Sequence, residues 1–403
     1  MRDFQRERHF SFESLVFFIL QKTNQSLQVC IDDFFLGFSA VIPTKSAFVQ
    51  ARIKLCYKVF KRLNRHLCKH FYEHFDYKKW KGFRVLAVDG STLQLPDHSS
   101  LSKVFSKHSF GPKSDAPHWM SRISYLYDVF NGVVIDAQMK SFKTDEITLC
   151  KNHLPFVKKG DLVIFDRYYA SRKLMFALRG KGVHFLFRMK NHWKVVKQFL
   201  EEKEQEKLIT LKFDSKQANY LLKKYPHLTN ELEVRLLKRK NKKGETEVFI
   251  SSLTDTKKYA LRAVLQLYKD RWNVEEAYKL VKSRLEVADF SGKRVEAVQQ
   301  DFYAKSFLIS LNGMLCNKIE PPKTKRNKAK TKKERVKKVN RTYLFSWMRK
   351  MLFSTYHQIE NIEQLFLKMM KTVQQKVEYS REGQYNQRNF KNNGKFHNNY
   401  KTP

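Results

Sequence analysis

The sequence predicts an α/β protein: a mixed sheet with covering helices, broken by a β-rich insertion and flanked by helical regions at both ends. Three observations predict it. From residue 83, apolar β-branched runs are separated by turn signals: "FRVLAVDGSTLQLPD", then "RISYLYDVF" and "GVVIDAQMK" either side of Asn131-Gly132. A later apolar run, "LVIFD", ends in Asp166 and leads into a helical stretch. Farther on, "LYKDRWNVEEAYKLVKSRLEV" at 267–287 has no Gly or Pro and is rich in helix formers.

Taken in order, residues 1–80 read as a helical N-terminal region. Ser11 is an N-cap with Glu13 in the first turn, and Phe10 and Leu15 have the spacing of a hydrophobic staple. A break at 42–46 followed by a basic helix suits a small DNA-binding unit. Residues 81–182 hold a three-strand meander, a helix over 144–156 and the strand ending in Asp166, and form the first part of the core. Residues 183–256 alternate like strands and read as the β-rich insertion. Residues 257–320 form the second part of the core, a charged helix from about 257 to 287 followed by a mostly buried one. "PPKTKRNKAKTKKERVKKVNR" at 321–341 is almost devoid of apolar residues and reads as a basic linker. Helical spacing returns over 342–380. Residues 381–403 form an Asn-rich tail of low complexity, expected to be disordered.

Composition narrows the function. Lys and Arg total 79 against 39 Asp and Glu, a formal net charge of +40. Charge of this size, spread along the whole chain, points to nucleic acid. A membrane surface would be met by one basic amphipathic segment, and the apolar run "LVFFIL" is far short of the roughly 20 residues a span requires. No membrane partner is expected. Five scattered cysteines favour reduced thiols in a cytosolic protein. His66, Cys68, His70 and His74 lie close together, but no second ligand pair has finger-like spacing for zinc.

The candidate site rests on three acids. Asp89 closes one apolar strand, Asp166 closes another, and Glu275 lies on the charged helix. At 100° per residue, Tyr268, Arg271, Glu275 and Lys282 share an arc of roughly 60° on that helix. Alone, such a stripe reads as a solvated face, and Asp-Gly as an ordinary turn. The order of the elements gives them another meaning. A meander with an acid on its first strand, a later strand with a second acid and a helical third acid is the topology of a ribonuclease-H-like core. Three converging carboxylates repel one another unless divalent cations lie between them, and Mg2+ prefers such oxygens. Two ions about 3.5–4 Å apart suit in-line phosphoryl displacement.

These residues resemble the DDE transposases of the insertion-sequence-4 family, whose hallmark is Tyr, two residues, Arg, three residues, Glu, six residues, Lys. Tyr268, Arg271, Glu275 and Lys282 fit that spacing without a gap. "VLAVDGSTLQLPD" and "LVIFDRYYAS" resemble its two aspartate blocks, and "KSAFVQARIKL" and "VNRTYLFSWMRKML" its flanking regions. Family members often carry more residues ahead of the segment equivalent to "RDFQRERHF". The resemblance implies Asp89, Asp166 and Glu275 as catalytic residues and ligands of two Mg2+ ions, with Mn2+ able to substitute. It implies that Tyr268, Arg271 and Lys282 contact phosphates of the transposon end, with Lys279 bordering them. Trp193 is a candidate for stacking on a flipped base. The implied reaction is cut-and-paste cleavage and joining through a hairpin. Its partners are double-stranded DNA, at the transposon ends and the target, and a second copy of the chain in the DNA complex. The implied place is the bacterial cytoplasm, at the nucleoid. The competing expectations are a catalytically dead DNA-binding derivative and a ribonuclease-H-like nuclease.

Overall fold

The computed structural model describes residues 9–21, 25–109, 116–213, 216–241, 243–285, 289–320 and 335–381. The tail from 382 and most of the predicted linker, 321–334, lie outside the described residues. Four helices come first: α1 (Phe12–Gln21), α2 (Leu27–Phe35), α3 (Lys45–Lys54) and α4 (Lys58–His74). The Ser11 hydroxyl accepts from Ser14 N at the start of α1, and Thr44 caps α3 by accepting from Ala47 N. Phe10, Phe18, Phe35 and Phe48 meet edge-on or tilted and hold the first three helices together. Among the described residues no helix is long and apolar enough to cross a membrane.

The core follows as β1 (Arg84–Gln94), β2 (Ser106–His108), β3 (His118–Asp128), β4 (Val133–Ser141), α5 (Glu146–His153), β5 (Asp161–Phe165), α6 (Arg172–Gly180) and β6 (His184–Arg188). Strands β1, β3 and β4 form the antiparallel meander, while β5 and β6 add in parallel beyond β1. The order β4-β3-β1-β5-β6 is that of a ribonuclease-H-like core. Next come α7 (Lys194–Glu201), β7 (Glu206–Lys212), α8 (Lys216–Lys224), β8 (Glu231–Lys240) and β9 (Thr246–Ser251). The stretch read as an insertion does not stand apart. Its first strand, β6, is the fifth core strand, and β9, β8 and β7 extend the same sheet from its edge. Two helices, α7 and α8, lie between its strands.

Alternation along the strands divides the core. Val85 and Ala87 join one hydrophobic cluster, Leu86 and Val88 another. The first face is covered by α9 (Leu261–Leu267), α10 (Trp272–Lys279) and α11 (Val295–Lys318), among others. A 3-10 turn, Tyr268–Arg271, joins α9 to α10, and a π turn, Leu280–Arg284, follows. The regular helix predicted over 257–287 is thus helical from 261 to 284 with three different pitches, so uniform 100° stepping does not hold along it. The chain closes with β10 (Arg335–Val339), α12 (Arg341–His357), α13 (Ile362–Gln375) and β11 (Val377–Arg381). β10 pairs with β11, so residues 335–339 of the predicted linker and 377–380 of the region predicted helical are strand, held by pairing with each other.

Two local constraints fix the meander. Arg84 forks onto Asp161 with bonds of 2.9 and 2.6 Å, tying β1 to β5 at their first register pair. The Asn131-Gly132 turn is seated by Asp128, which accepts from Tyr72 Oη, Phe130 N and Asn131 N. Helix α11 crosses this turn so closely that a Cβ on Gly313 would lie 2.1 Å from the Gly132 carbonyl oxygen. Backbone on backbone leaves nothing to rotate away. Gly313→Ala is therefore expected to destabilise the fold by about 1–3 kcal/mol or more, as read by urea unfolding against the parent chain.

Candidate active site

Strand geometry positions the first two acids. Asp89 has the parity of Val85 and Ala87, and Asp166 that of Leu162 and Ile164, so both point to the face covered by α10. Strands β1 and β5 pair in parallel through Ala87↔Ile164. The same register carried two residues farther sets Asp89 level with Asp166, just past the end of β5. Asp89 does not close its strand as predicted: β1 continues through Asp89-Gly90 to Gln94, because that stretch stays paired with β3. The helical segment crosses the sheet here. Tyr268, from the 3-10 turn, donates from its hydroxyl to Asp166 Oδ1 at 3.4 Å. Arg271 reaches both other acids, with Nη1 3.8 Å from Asp89 Oδ1 and Nη2 2.9 Å from Glu275 Oε1. Lys282 Nζ donates to Ser91 Oγ on β1 at 2.8 Å.

The stripe is therefore turned inward. Tyr268 and Arg271 are only 4% and 7% exposed, which a solvated face would not be. Six of the residues singled out from the sequence meet here: Asp89, Asp166, Glu275, Tyr268, Arg271 and Lys282. Two others stand apart. Lys279 is exposed and donates to Glu276. Trp193 precedes α7 and packs, half-buried, against the hydrophobic cluster of the opposite face.

A family model described as "Transposase DDE domain" matches residues 80–312, more than half of the chain and all of the elements that build this site. The chain belongs to the transposase DDE domain family. It is 24% identical over 269 residues to "Transposase InsG for insertion sequence element IS4" of Escherichia coli (strain K12). That match takes in 64% of this chain and 58% of the relative's length. A cryo-EM structure of the piggyBac transposase synaptic complex with hairpin DNA is similar at a TM-score of 0.45 and 11% identity, over 90% of this chain and 74% of that one.

The DDE domain also brings in residues that the sequence reading missed. Glu146, at the start of α5, lies against Gly90, where an added Cβ would come within 2.9 Å of its carboxyl carbon. It accepts from Arg122 Nη1 at 2.9 Å and from Tyr169 Oη at 3.1 Å. Tyr169 N in turn bonds to the carbonyl of Asp166, so Glu146 braces the second aspartate loop. An acid at a helix start reads from sequence as a dipole partner, and only the fold brings it against Gly90 beside Asp89.

Electrostatics single out Asp89. Burial pushes its carboxyl up to about 7, the charges of Glu275 and Glu146 add to the rise, and Arg271 and the Gly90 N–H oppose it. Burial lowers the Lys282 ammonium and raises the Tyr268 phenol. Among the described residues, no three His, Cys, Asp or Glu side chains are grouped closely enough to hold one ion, and Arg271 reaches from Asp89 to Glu275. The donor chemistry nonetheless fits a hard divalent cation. Asp89, Asp166 and Glu275 offer carboxylate oxygens, and the buried Asp89 charge lacks full compensation from its neighbours.

The sign of the Asp89 shift gives a stability test. A carboxyl at about 7 when folded, against about 3.9 when unfolded, holds its proton more tightly in the folded chain. The resulting stability is present below the lower value and is lost as pH rises through the higher one. Asn cannot ionise and escapes that loss. With metal chelated, Asp89→Asn is expected to melt near the parent temperature at low pH and at least about 2 °C above it at pH 8, followed by circular dichroism.

Proposed function

We propose that this chain is the transposase of a cut-and-paste insertion sequence, acting on the terminal inverted repeats of the element. The observation that carries the reading is that Arg271 joins Glu275 to Asp89, midway along β1, while Tyr268 of the same helical segment holds Asp166, just past β5. Membership of the DDE family supports it. Asp89, Asp166 and Glu275 are the catalytic carboxylates and the oxygens that would hold two Mg2+ ions, with Mn2+ as a substitute. When bound, such ions neutralise phosphate charge and activate the attacking oxygen.

The chain's own residues do the rest. Arg271 and Lys282 are cations on the same helical segment as Glu275, placed to grip phosphates of the transposon end as charge builds. Tyr268 holds Asp166 by its hydroxyl and, with Arg271 and Lys282, is assigned to the phosphates of the transposon end. Water first attacks a phosphodiester, leaving a 3′-hydroxyl and a 5′-phosphate. That hydroxyl then attacks a phosphodiester of the opposite strand, closing a hairpin on the transposon end and expelling the flanking strand's 3′-hydroxyl; a second water reopens the hairpin before the freed 3′-end joins target DNA. Trp193 and Lys279 are assigned to DNA outside the carboxylate cluster, Trp193 as the base-stacking residue and Lys279 on the backbone. The net charge of +40 supplies a salt-sensitive grip on duplex DNA, at ends and target alike. Two ends cut together call for a homodimer in the DNA complex. The place of action is the bacterial cytoplasm, on the nucleoid.

The test is a time course on an end-labelled terminal-repeat duplex in Mg2+, resolved on a denaturing gel. Asp89→Ala, Asp166→Ala and Glu275→Ala are each expected to remove cleavage while changing duplex affinity by no more than about threefold, because carboxylates hold metal rather than DNA. Arg271→Ala and Lys282→Ala should nick the first strand but lose most hairpin, since strand ends must there be held bent against their own repulsion. A carboxylate variant that cleaves at the parent rate leaves the triad.

A further inference from the structure

Asp89 is gripped by its backbone as well as surrounded at its carboxylate. Its carbonyl oxygen accepts two hydroxyl hydrogen bonds, from Tyr278 Oη at 2.6 Å and from Ser124 Oγ at 3.1 Å. Tyr278 lies three residues after Glu275 on α10, and its ring stacks on Tyr125 at 4.9 Å with 6° between planes. The same hydroxyl accepts from Tyr125 N at 3.0 Å. Tyr125 is the register partner of Asp89 across β1 and β3. A side chain of the Glu275 helix thus bridges the sheet ladder at the pair that carries Asp89.

Ser124 is the end of a second chain. His153 Nε2 lies 3.0 Å from Ser124 Oγ, and His153 Nδ1 lies 2.8 Å from Asp136 Oδ2, with Lys61 3.9 Å from the same carboxylate's other oxygen. Ser124, His153 and Asp136 are 1%, 0% and 4% exposed. The order Ser-His-Asp is that of a hydrolase triad, but no substrate reaches a serine so buried, and its proton is already committed to the Asp89 carbonyl. That commitment obliges His153 Nε2 to donate to Ser124 Oγ. Three elements, β3, β4 and α5, are thereby braced against one backbone oxygen.

We propose that Tyr278 and the Ser124–His153–Asp136 chain are positioning residues that fix the backbone of Asp89 and lock the Glu275 helix to it. The inference rests on the reading of Asp89 and Glu275 as metal-holding catalytic acids. Two hydroxyls on one carbonyl hold the strand against sliding or tilting, and one of them belongs to the helix of the third acid. The separation of the two carboxylates is then set by the clamp rather than by their own repulsion. Outer-shell groups of this kind tune metal affinity by about 10–100-fold.

Tyr278→Phe keeps the stacked ring and removes only the bridging hydroxyl, and Ser124→Ala removes the second donor. Tyr303→Phe is the control, since Tyr303 Oη also accepts from a strand N–H, that of Met139, at 3.3 Å. Full-length proteins are titrated with Mn2+ by calorimetry without DNA, and strand cleavage is followed against Mn2+ concentration. Tyr278→Phe and Ser124→Ala are expected to raise the half-saturating Mn2+ concentration about tenfold in both readouts. Terminal-repeat binding should stay at the parent level. Tyr303→Phe is expected to lower the melting temperature but leave the Mn2+ curves in place. Parental Mn2+ curves for both clamp variants, or an equal shift in Tyr303→Phe, overturn the inference. Should Tyr278→Phe not fold, Ser124→Ala probes the same oxygen from the other side. Asp89→Asn separates the two levels: if it cleaves normally, the catalytic reading itself fails. If it is inactive while the clamp variants keep parental curves, only the positioning role fails.

Discussion

The parallel register between β1 and β5 is the constraint on which the site depends. The Arg84 fork onto Asp161 ties the two strands at one end, and three further consecutive register pairs follow. Because side chains alternate with period two, a slip of one residue would turn Asp89 or Asp166 to the other face. Everything the helical segment does over β1 and past β5 presupposes that both acids face it. The energetic interest of the fork lies in its placement, since a buried ion pair is weak grounds for stability but fixes register well.

Against that frame, the charged residues form a set whose members need one another. Asp89 is desolvated beside two other acids, Glu275 and Glu146, and Arg271 answers only part of that repulsion. Tyr268 and Arg122 satisfy the neighbouring acids through hydrogen bonds rather than through exposure. A folded chain that gathers acids in this way is under electrostatic stress at neutral pH. Divalent cations and a polyanionic substrate relieve that stress together in the proposed reaction, the ions on the acids and the phosphates on the surrounding cations. In the same proposal, the large positive charge elsewhere on the chain concentrates DNA near a centre that is locally acidic.

The change of pitch in the helical segment matters to this arrangement. A uniform α-helix from 261 to 284 would place its polar stripe by a single angular step. With the 3-10 turn at Tyr268–Arg271 and the π turn at Leu280–Arg284, Tyr268 reaches the segment after β5, Arg271 and Lys282 reach β1, and Glu275 pairs with Arg271. Departures from regular pitch are common where function constrains a helix.

The sequence by itself determined the meander, the strand leading to Asp166, the Asn131-Gly132 turn and the polar stripe, because alternation, turn chemistry and helix propensity are local properties. It also determined which acids and cations were candidates, since motif spacing is written along the chain. Only the tertiary structure decided that β6 completes the core and that the following strands extend the same sheet, because strand partners are chosen by long-range pairing. Only it brought Glu146 against Gly90, and Tyr278 and Ser124 onto one carbonyl. Those contacts join residues 35 to 189 positions apart. Each looks from sequence like an ordinary helix-start acid, core tyrosine or strand serine. What distinguishes them is the neighbour across the fold, and no local periodicity carries that information.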